Sequence, residues 1–417
     1  MPSRKTDTSR RGETPRARKC PVCGGSSRER LYRQSFADVK KVSFLKGYDV
    51  VVCKRCGFGY ADGIPSQQAF NRYYERQSKY ENLSSASSRS RQDSLENGRR
   101  FIKSFVNDTG ISVLEIGCGA GDFLRHLKDS GFTDLTALEP SQSAVDSLLR
   151  KSGIKAMTGT LSKTETNATF DLVVLITVLE HVVALYSAIK NLSHLLGSSG
   201  LLFIRVPDAC RFPDFDDSPF QQFSPEHINY FSTVSARNLL VRHGYTLLGS
   251  EEVSLRESDN SILPMINLMF RKNGHKNRFL PERDRLTKYQ LAKYIALSAA
   301  KEREVQGKIE PYTASQEPIV VWGVGTHTLR LLELGALKKC NIAAFIDSNK
   351  HYAGGLFNNI PVFPPSELHR YPHKILVSSK VYQKEIADFI RNTLKAPNEL
   401  ILLYSQTNSG NRSRKSV

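Results

Sequence analysis

Four cysteines fall in two pairs, Cys20-Pro-Val-Cys23 and Cys53-Lys-Arg-Cys56, separated by 29 residues. Glycine follows each pair at once, as Gly24-Gly25 and as Gly57. A thiolate knuckle turns its backbone so that amides point at the sulfurs, and glycine tolerates that turn. Four thiolates at ~2.3 Å close a tetrahedral structural zinc site with no open position for catalysis. Two disulfides are the other reading, and a reducing compartment disfavours them. The segment between the pairs is predicted to hold a hairpin, Val42 to Val52, turning at Lys46-Gly47. Cys118, Cys210 and Cys340 are scattered and read as packing residues.

A second chemistry-bearing run is Ile111-Ser-Val-Leu-Glu115-Ile-Gly117-Cys118-Gly119-Ala-Gly121. It reads as an apolar strand entering a glycine-rich turn, and Asp122 then opens a helix with Phe123, Leu124 and Leu127 on one face. Glycines there let the backbone lie against a flat or charged ligand, and open α/β sheets bind ligands at the carboxyl ends of their strands. Glu115, inside the strand, can meet the amino group of a bound amino acid. Glu139 ends the next strand, Leu135 to Leu138, where a carboxylate can take both hydroxyls of a ribose. Ser141 starts the following helix, with Ala144, Val145, Leu148 and Leu149 on one face. Phe170 to His181 is a buried strand emerging into a polar loop.

Two further places could do chemistry. In Phe223-Ser-Pro-Glu226-His227-Ile-Asn-Tyr-Phe231, a Glu-His pair precedes a helix from Thr233 to His243. Histidine is poised near cellular pH, and a carboxylate neighbour raises its basicity, so the pair could act as general base. Equally, Glu226 could cap a turn and His227 pack beside Tyr230. In Pro318-Ile-Val-Val-Trp-Gly323-Val-Gly325 a strand again meets a glycine turn, followed by a helix from Thr328 to Leu337. The next strand ends at Asp347, 22 residues after Gly325. That spacing is that of a dinucleotide fingerprint whose third glycine is replaced by Thr328. His327 and Ser378-Ser379 are possible phosphate contacts or ordinary turn residues.

These residues need elements to position them, and 417 residues suit two or three domains. The pattern divides into a basic disordered tail (1–19), a zinc-binding module (20–62) and a tyrosine-bearing connector (63–110). An α/β domain (111–255) and a helical linker (256–316) follow. A small Rossmann-like α/β domain (317–405) and a polar disordered tail (406–417) end the chain. Alternation of short apolar strands with helical segments signals mainly parallel sheets. The formal net charge is +18. Residues 1–19 hold seven basic against two acidic residues and the tail after Gln406 three more basic ones, so much of the excess is solvated. That distribution argues against a nucleic-acid partner. The apolar run Leu172 to Val178 falls far short of the ~20 residues of a membrane helix, and the N-terminus lacks a secretory apolar run. A cytoplasmic chain with no membrane partner is expected.

The run VLEIGCGAGDFL, then ALEPS, then FDLVVLITVLEHV resembles class I S-adenosylmethionine-dependent methyltransferases over about 140 residues. The resemblance implies a Rossmann-like sheet in which Gly117, Gly119 and Gly121, with the intervening Cys118, line the methionine and ribose. It sets Glu115 beneath the amino acid moiety, Glu139 on the ribose, Thr160 and Leu161 beside the adenine, and Thr177 with His181 at the methionine end. The whole layout, zinc module to C-terminal Rossmann-like domain, looks like the sugar C-methyltransferase family, whose members act on nucleotide-linked keto-sugars. That resemblance implies a small-molecule substrate and a His227 that removes a proton beside the ketone, oriented by Glu226. Tyr73, Tyr74 or Tyr80 would reach the substrate, with Tyr74 the foremost. An RNA methyltransferase with a zinc-ribbon reader, and a non-catalytic cofactor- or nucleotide-binding scaffold, stay open as alternatives. Neither the sugar nor an oligomeric state is written in these motifs.

Overall fold

A computed structural model describes residues 17–39, 43–76, 89–164, 166–258, 261–274, 279–349 and 352–405. The N-terminal module is built on β1 (Arg28–Ser35), β2 (Gly47–Cys53) and β3 (Gly59–Asp62), and α1 (Gln67–Arg76) follows. β1 and β2 pair antiparallel with Ser35 opposite Gly47, so the hairpin begins before the expected Val42, which lies outside the described residues. Arg18 does not belong to a solvated tail. Its guanidinium bonds the carbonyls of Ala61 and Val183 at 2.9 and 2.8 Å, stitching the module to the central domain.

The central domain begins with α2 (Arg89–Lys103), β4 (Ser112–Ile116), α3 (Asp122–Asp129), β5 (Asp134–Glu139), α4 (Gln142–Ser152) and β6 (Lys155–Thr158). β7 (Phe170–Ile176), α5 (Leu185–Leu195), β8 (Leu196–Pro207), β9 (Asn229–Tyr230), α6 (Thr233–Val241), β10 (Tyr245–Ser258) and β11 (Ser261–Lys272) complete it. Seven strands make one sheet in the order β10-β11-β8-β7-β4-β5-β6. β4 to β8 run parallel, whereas β11 pairs antiparallel with β8 and β10 with β11. The segment expected as the start of a helical linker, from residue 256, is thus the end of β10 and the whole of β11, and the sheet extends to Lys272. Its sequence, ILPMINLMF, is buried from Pro264 to Phe270, as a strand between two neighbours must be. Ser141 caps α4 by accepting from the Ala144 amide, and Gly153 closes it at φ 64°. Leu149, expected on the buried face of α4, is exposed.

The remainder comprises α7 (Leu286–Ser315), β12 (Ile319–Trp322), α8 (Thr326–Glu333), α9 (Ala336–Lys339) and β13 (Ile342–Ile346). β14 (Leu356–Phe357), β15 (Ile360–Phe363), β16 (Lys374–Val377), α10 (Gln383–Asp388) and β17 (Leu400–Leu402) follow. The third sheet has the order β14-β15-β13-β12-β16-β17, parallel except at β14. The helix expected over Thr328 to Leu337 is broken into α8 and α9 at Gly335, φ 94°. The N-terminal module's sheet has the order β1-β2-β3-β9, so its last strand comes from the loop that carries Glu226 and His227. One apolar core runs through the module, that loop and the C-terminal unit, with Tyr48, Phe223, Tyr294 and Val321 all buried in it.

Candidate functional site

Strand order reverses between β4 and β7, and a cavity opens there at the carboxyl ends of β4, β5 and β7. Gly117, Gly119, Glu139, Thr160, Leu161, Thr177 and His181 line it, as expected. Tyr74 lines it too, together with Gln67 and Asn71 from α1, which sequence reasoning missed. Gln67 Oε1 accepts from the amides of Val183 and Ala184 at 2.8 and 3.1 Å, docking α1 over the cavity. Glu139 braces the glycine turn: its carboxylate accepts from Gly119 N at 2.9 Å and Ser141 N at 3.3 Å. Thr177 adopts φ 54°, rare for a β-branched residue, held by its amide bond to the Arg205 carbonyl at 2.9 Å. Strain of this kind gathers at binding sites.

Three expected cofactor residues lie behind the cavity wall. Glu115 is buried beneath the turn, where burial, and then the charge of Glu139, push its carboxyl up to about 8. Cys118 packs against the core under α3. Gly121, at φ 75°, serves packing, because a Cβ there would stand 2.2 Å from Leu148 Cδ1.

Beside the cavity the structure gathers the expected Glu226, His227, His181 and Tyr74. The rings of His181 and His227 meet edge-on at 5.0 Å, and Tyr74 meets His181 at 5.9 Å. Tyr73 Oη donates to Glu226 Oε1 at 2.7 Å. Tyr73 is itself stacked on Phe44 at 4.2 Å, which fixes the hydroxyl. Tyr80 lies outside the described residues. Burial, with His181 close by, holds the half-buried His227 well below the ordinary histidine range, so its imidazole is neutral and, despite the neighbouring Glu226, a weaker base than a free histidine. Ser224 Oγ accepts from the amides of Glu226 and His227 at 3.3 and 3.1 Å, shaping the turn that presents both.

Tyr73 and Glu226 also form one wall of a second cleft, opposite Val324, Gly325 and Asp347 of the C-terminal glycine turn. Asp347 accepts from Val324 N at 2.9 Å and Asn349 N at 2.8 Å. His327 is not presented to this cleft; it turns inward and meets the Tyr404 hydroxyl at 2.8 Å. Ser378 is likewise buried, accepting from Thr328.

In the module the four cysteine sulfurs converge, each buried. Cys20 and Cys56 sulfurs stand 3.6 Å apart and those of Cys23 and Cys53 3.5 Å. A tetrahedron with ~2.3 Å zinc–sulfur bonds has edges of about 3.8 Å, so the cluster fits that ion. No helix among the described residues is long and apolar enough to cross a membrane.

Comparison with known proteins agrees with the central fold. Residues 89–249 match a methyltransferase-domain family model, and residues 315–402 match the family described as C2185-like, N-terminal. Ubiquinone biosynthesis O-methyltransferases of Rickettsia bellii and Rickettsia prowazekii are 30% identical over 109 residues. Those matches cover 25% of this chain and 45% and 43% of the relatives, so the chain spans less than half of their length. Among solved structures, the PH0226 protein from Pyrococcus horikoshii is similar at 20% identity and TM-score 0.37, covering 48% of this chain and 98% of that one. A 1,6-didemethyltoxoflavin-N1-methyltransferase from Burkholderia thailandensis is similar at 15% identity and TM-score 0.37, covering 52% and 94%.

Proposed function

Because residues 89–249 carry a class I S-adenosylmethionine-dependent methyltransferase domain, we propose that the whole chain transfers a methyl group from that cofactor to a small molecule. The cavity supports this reading, since the bent glycine turn, Glu139 and Thr160 line one hollow at the sheet's switch point. In this reading Glu139 takes the ribose hydroxyls and Thr177 and His181 border the methionine end. Cys20, Cys23, Cys53 and Cys56 hold a structural zinc ion that fixes the module.

We infer further that the acceptor is a nucleotide-linked keto-sugar methylated at carbon. The observation that carries this is the Tyr73–Glu226 bond in the wall of the cleft at the C-terminal glycine turn, with Tyr74, next along α1, lining the cofactor-side cavity. A substrate with its nucleotide beside Asp347 would place its sugar at that wall. His227 would take the proton from the carbon beside the ketone, and the cofactor would supply its methyl to that carbon, leaving as the demethylated thioether. Holding those atoms ~3–3.5 Å apart supplies much of the acceleration. A second reading, methyl transfer to oxygen, is favoured by the stretch similar to the Rickettsia O-methyltransferases.

Calorimetry with S-adenosylmethionine and its demethylated product, followed by transfer of labelled methyl to keto-sugar nucleotides and to phenols, tests both. Carbon methylation predicts that the substrate's C–H exchanges with deuterated solvent, and that His227→Ala abolishes the exchange. Label appearing on oxygen would replace the sugar reading, and no uptake of either cofactor form would end both.

A further inference from the structure

We propose that Glu180, His181 and His227 form a binding site for one first-row divalent transition-metal ion, at the edge of the cavity that His181 lines. One donor atom from each lies within 4.8 Å of the others. An ion at the centre of such a triangle is within about 2.8 Å of every donor, so side-chain shifts under about 1 Å reach bonds of ~2.1 Å.

The carboxylate of Glu180 makes the case. It is 1% exposed, and beyond its own backbone amide neither oxygen has a hydrogen-bond partner. A buried carboxylate whose nearest cationic partner is a histidine nitrogen too far away for a hydrogen bond is strongly unfavourable. A cation satisfies both oxygens. Glu180 Oε1 already lies 3.9 Å from His181 Nε2.

The histidine is prepared in the same sense. His181 Nδ1 is 3.0 Å from the Glu226 carbonyl and donates its N–H there, so the lone pair of Nε2 faces Glu180. Metal-binding imidazoles are oriented by this kind of outer bond. The two ligand-bearing segments are also fastened together. Ile228 N donates to the Glu180 carbonyl at 2.9 Å, and Asn229 Nδ2 to those of Leu179 and Val182 at 2.8 and 2.7 Å. The triangle is therefore set by the fold before any ion arrives.

Two imidazole nitrogens and one carboxylate suit manganese, iron, cobalt, nickel or zinc in the divalent state, whereas calcium and magnesium prefer all-oxygen sets. Three protein ligands leave positions open toward the cavity, where an acceptor oxygen could bind and be polarised. The inference does not depend on which acceptor is used. An ion on His227 occupies the lone pair that the carbon-methylation reading uses for the proton, so His227 is the proton acceptor only in the ion-free protein and Glu226, held by Tyr73, takes that place when the ion is bound.

Zinc-replete full-length protein titrated with Mn2+, followed by electron paramagnetic resonance of the free ion, tests the site. The expected result is one Mn2+ per chain at micromolar concentration. Glu180→Gln and His227→Ala should each weaken uptake by about 10–100-fold or more. Near-ultraviolet circular dichroism should match the wild type, and the four-cysteine zinc should be retained. If Glu180→Gln fails to fold, the half-buried His227→Ala decides alone. Uptake only at millimolar Mn2+, or uptake that His227→Ala leaves unchanged, overturns the proposal. Because the readout is ion uptake, a failure to methylate any sugar would overturn the acceptor reading and leave this site standing.

Discussion

Replacing Glu115 by Gln should stabilise the protein, and only on the alkaline side. The carboxyl sits 4% exposed on β4, and burial, then the charge of Glu139, move it from its ordinary 4.5 to about 8. The unfolded chain ionises this group near 4.5, so as pH rises the unfolded state gives up its proton first. The penalty is therefore absent below pH 4.5, grows between 4.5 and 8, and is complete above 8. At about 1.4 kcal/mol per pH unit the full penalty is about 5 kcal/mol, an upper bound that water penetration on ionisation brings nearer 2–3. Gln keeps the shape and the acceptor for the Leu124 amide but cannot ionise. Urea unfolding of zinc-replete protein should give nearly equal stability for the two chains at about pH 5, and a variant more stable by about 2–5 kcal/mol at about pH 9. A difference that stays the same across that window would show that Glu115 ionises normally, and the account of the buried turn would be wrong.

Other expectations follow from single contacts. Gly121→Ala combines a left-handed backbone with a Cβ 2.2 Å from Leu148, so it should lose about 2–4 kcal/mol in denaturant unfolding. The double variant with Leu148→Ala should recover the clash but not the backbone cost, and strict additivity would refute the packing role. Tyr73→Phe removes a hydrogen bond to a carboxylate, so turnover should fall about 10–100-fold with cofactor affinity intact. An unchanged rate would take Tyr73 out of the site. Arg205 is 2% exposed and bonds Ser94, Asn97 and Asn267; Arg205→Met leaves those buried acceptors unmatched and should cost about 1–3 kcal/mol, read as a lower melting temperature. Cys53→Ser should lower bound zinc, measured by elemental analysis, and lower the melting temperature; full zinc retention would refute the four-thiolate site.

The glycine turn and the sheet it ends were readable because the strand period, the turn glycines and the helix cap all lie within a few neighbouring residues. The same locality made the cysteine pairs legible. Tertiary placement was not. Glu115 is two residues before the turn in sequence, yet its side chain points behind the wall, a consequence of strand alternation that the motif alone does not weigh. Tyr73 and Tyr74 are adjacent on α1, and only the packing of that helix decides that one reaches Glu226 and the other the cavity. β11 was hidden because a strand buried on both sides carries no alternation to tell it from a helix. Glu180 was hidden as well: beside an evident histidine, nothing in its neighbours tells that its carboxylate is buried with no side-chain hydrogen-bond donor.

The seam between segments has a practical meaning for anyone wishing to trim this protein. A fragment cut at residue 249, where the methyltransferase match ends, would stop inside β10 and lack β11, stripping β8 of its outer neighbour. Seven residues of β8, Leu201 to Pro207, would then lose their partners along a hydrophobic margin, an invitation to stack with other copies. Removing the cysteine knuckles would be no gentler, because β9 would lose β3, its partner in that sheet, and the histidine loop would lose its anchor. A trimmed form must therefore keep at least the span from the first knuckle past Lys272, and the core shared with the C-terminal unit ties that unit to it as well.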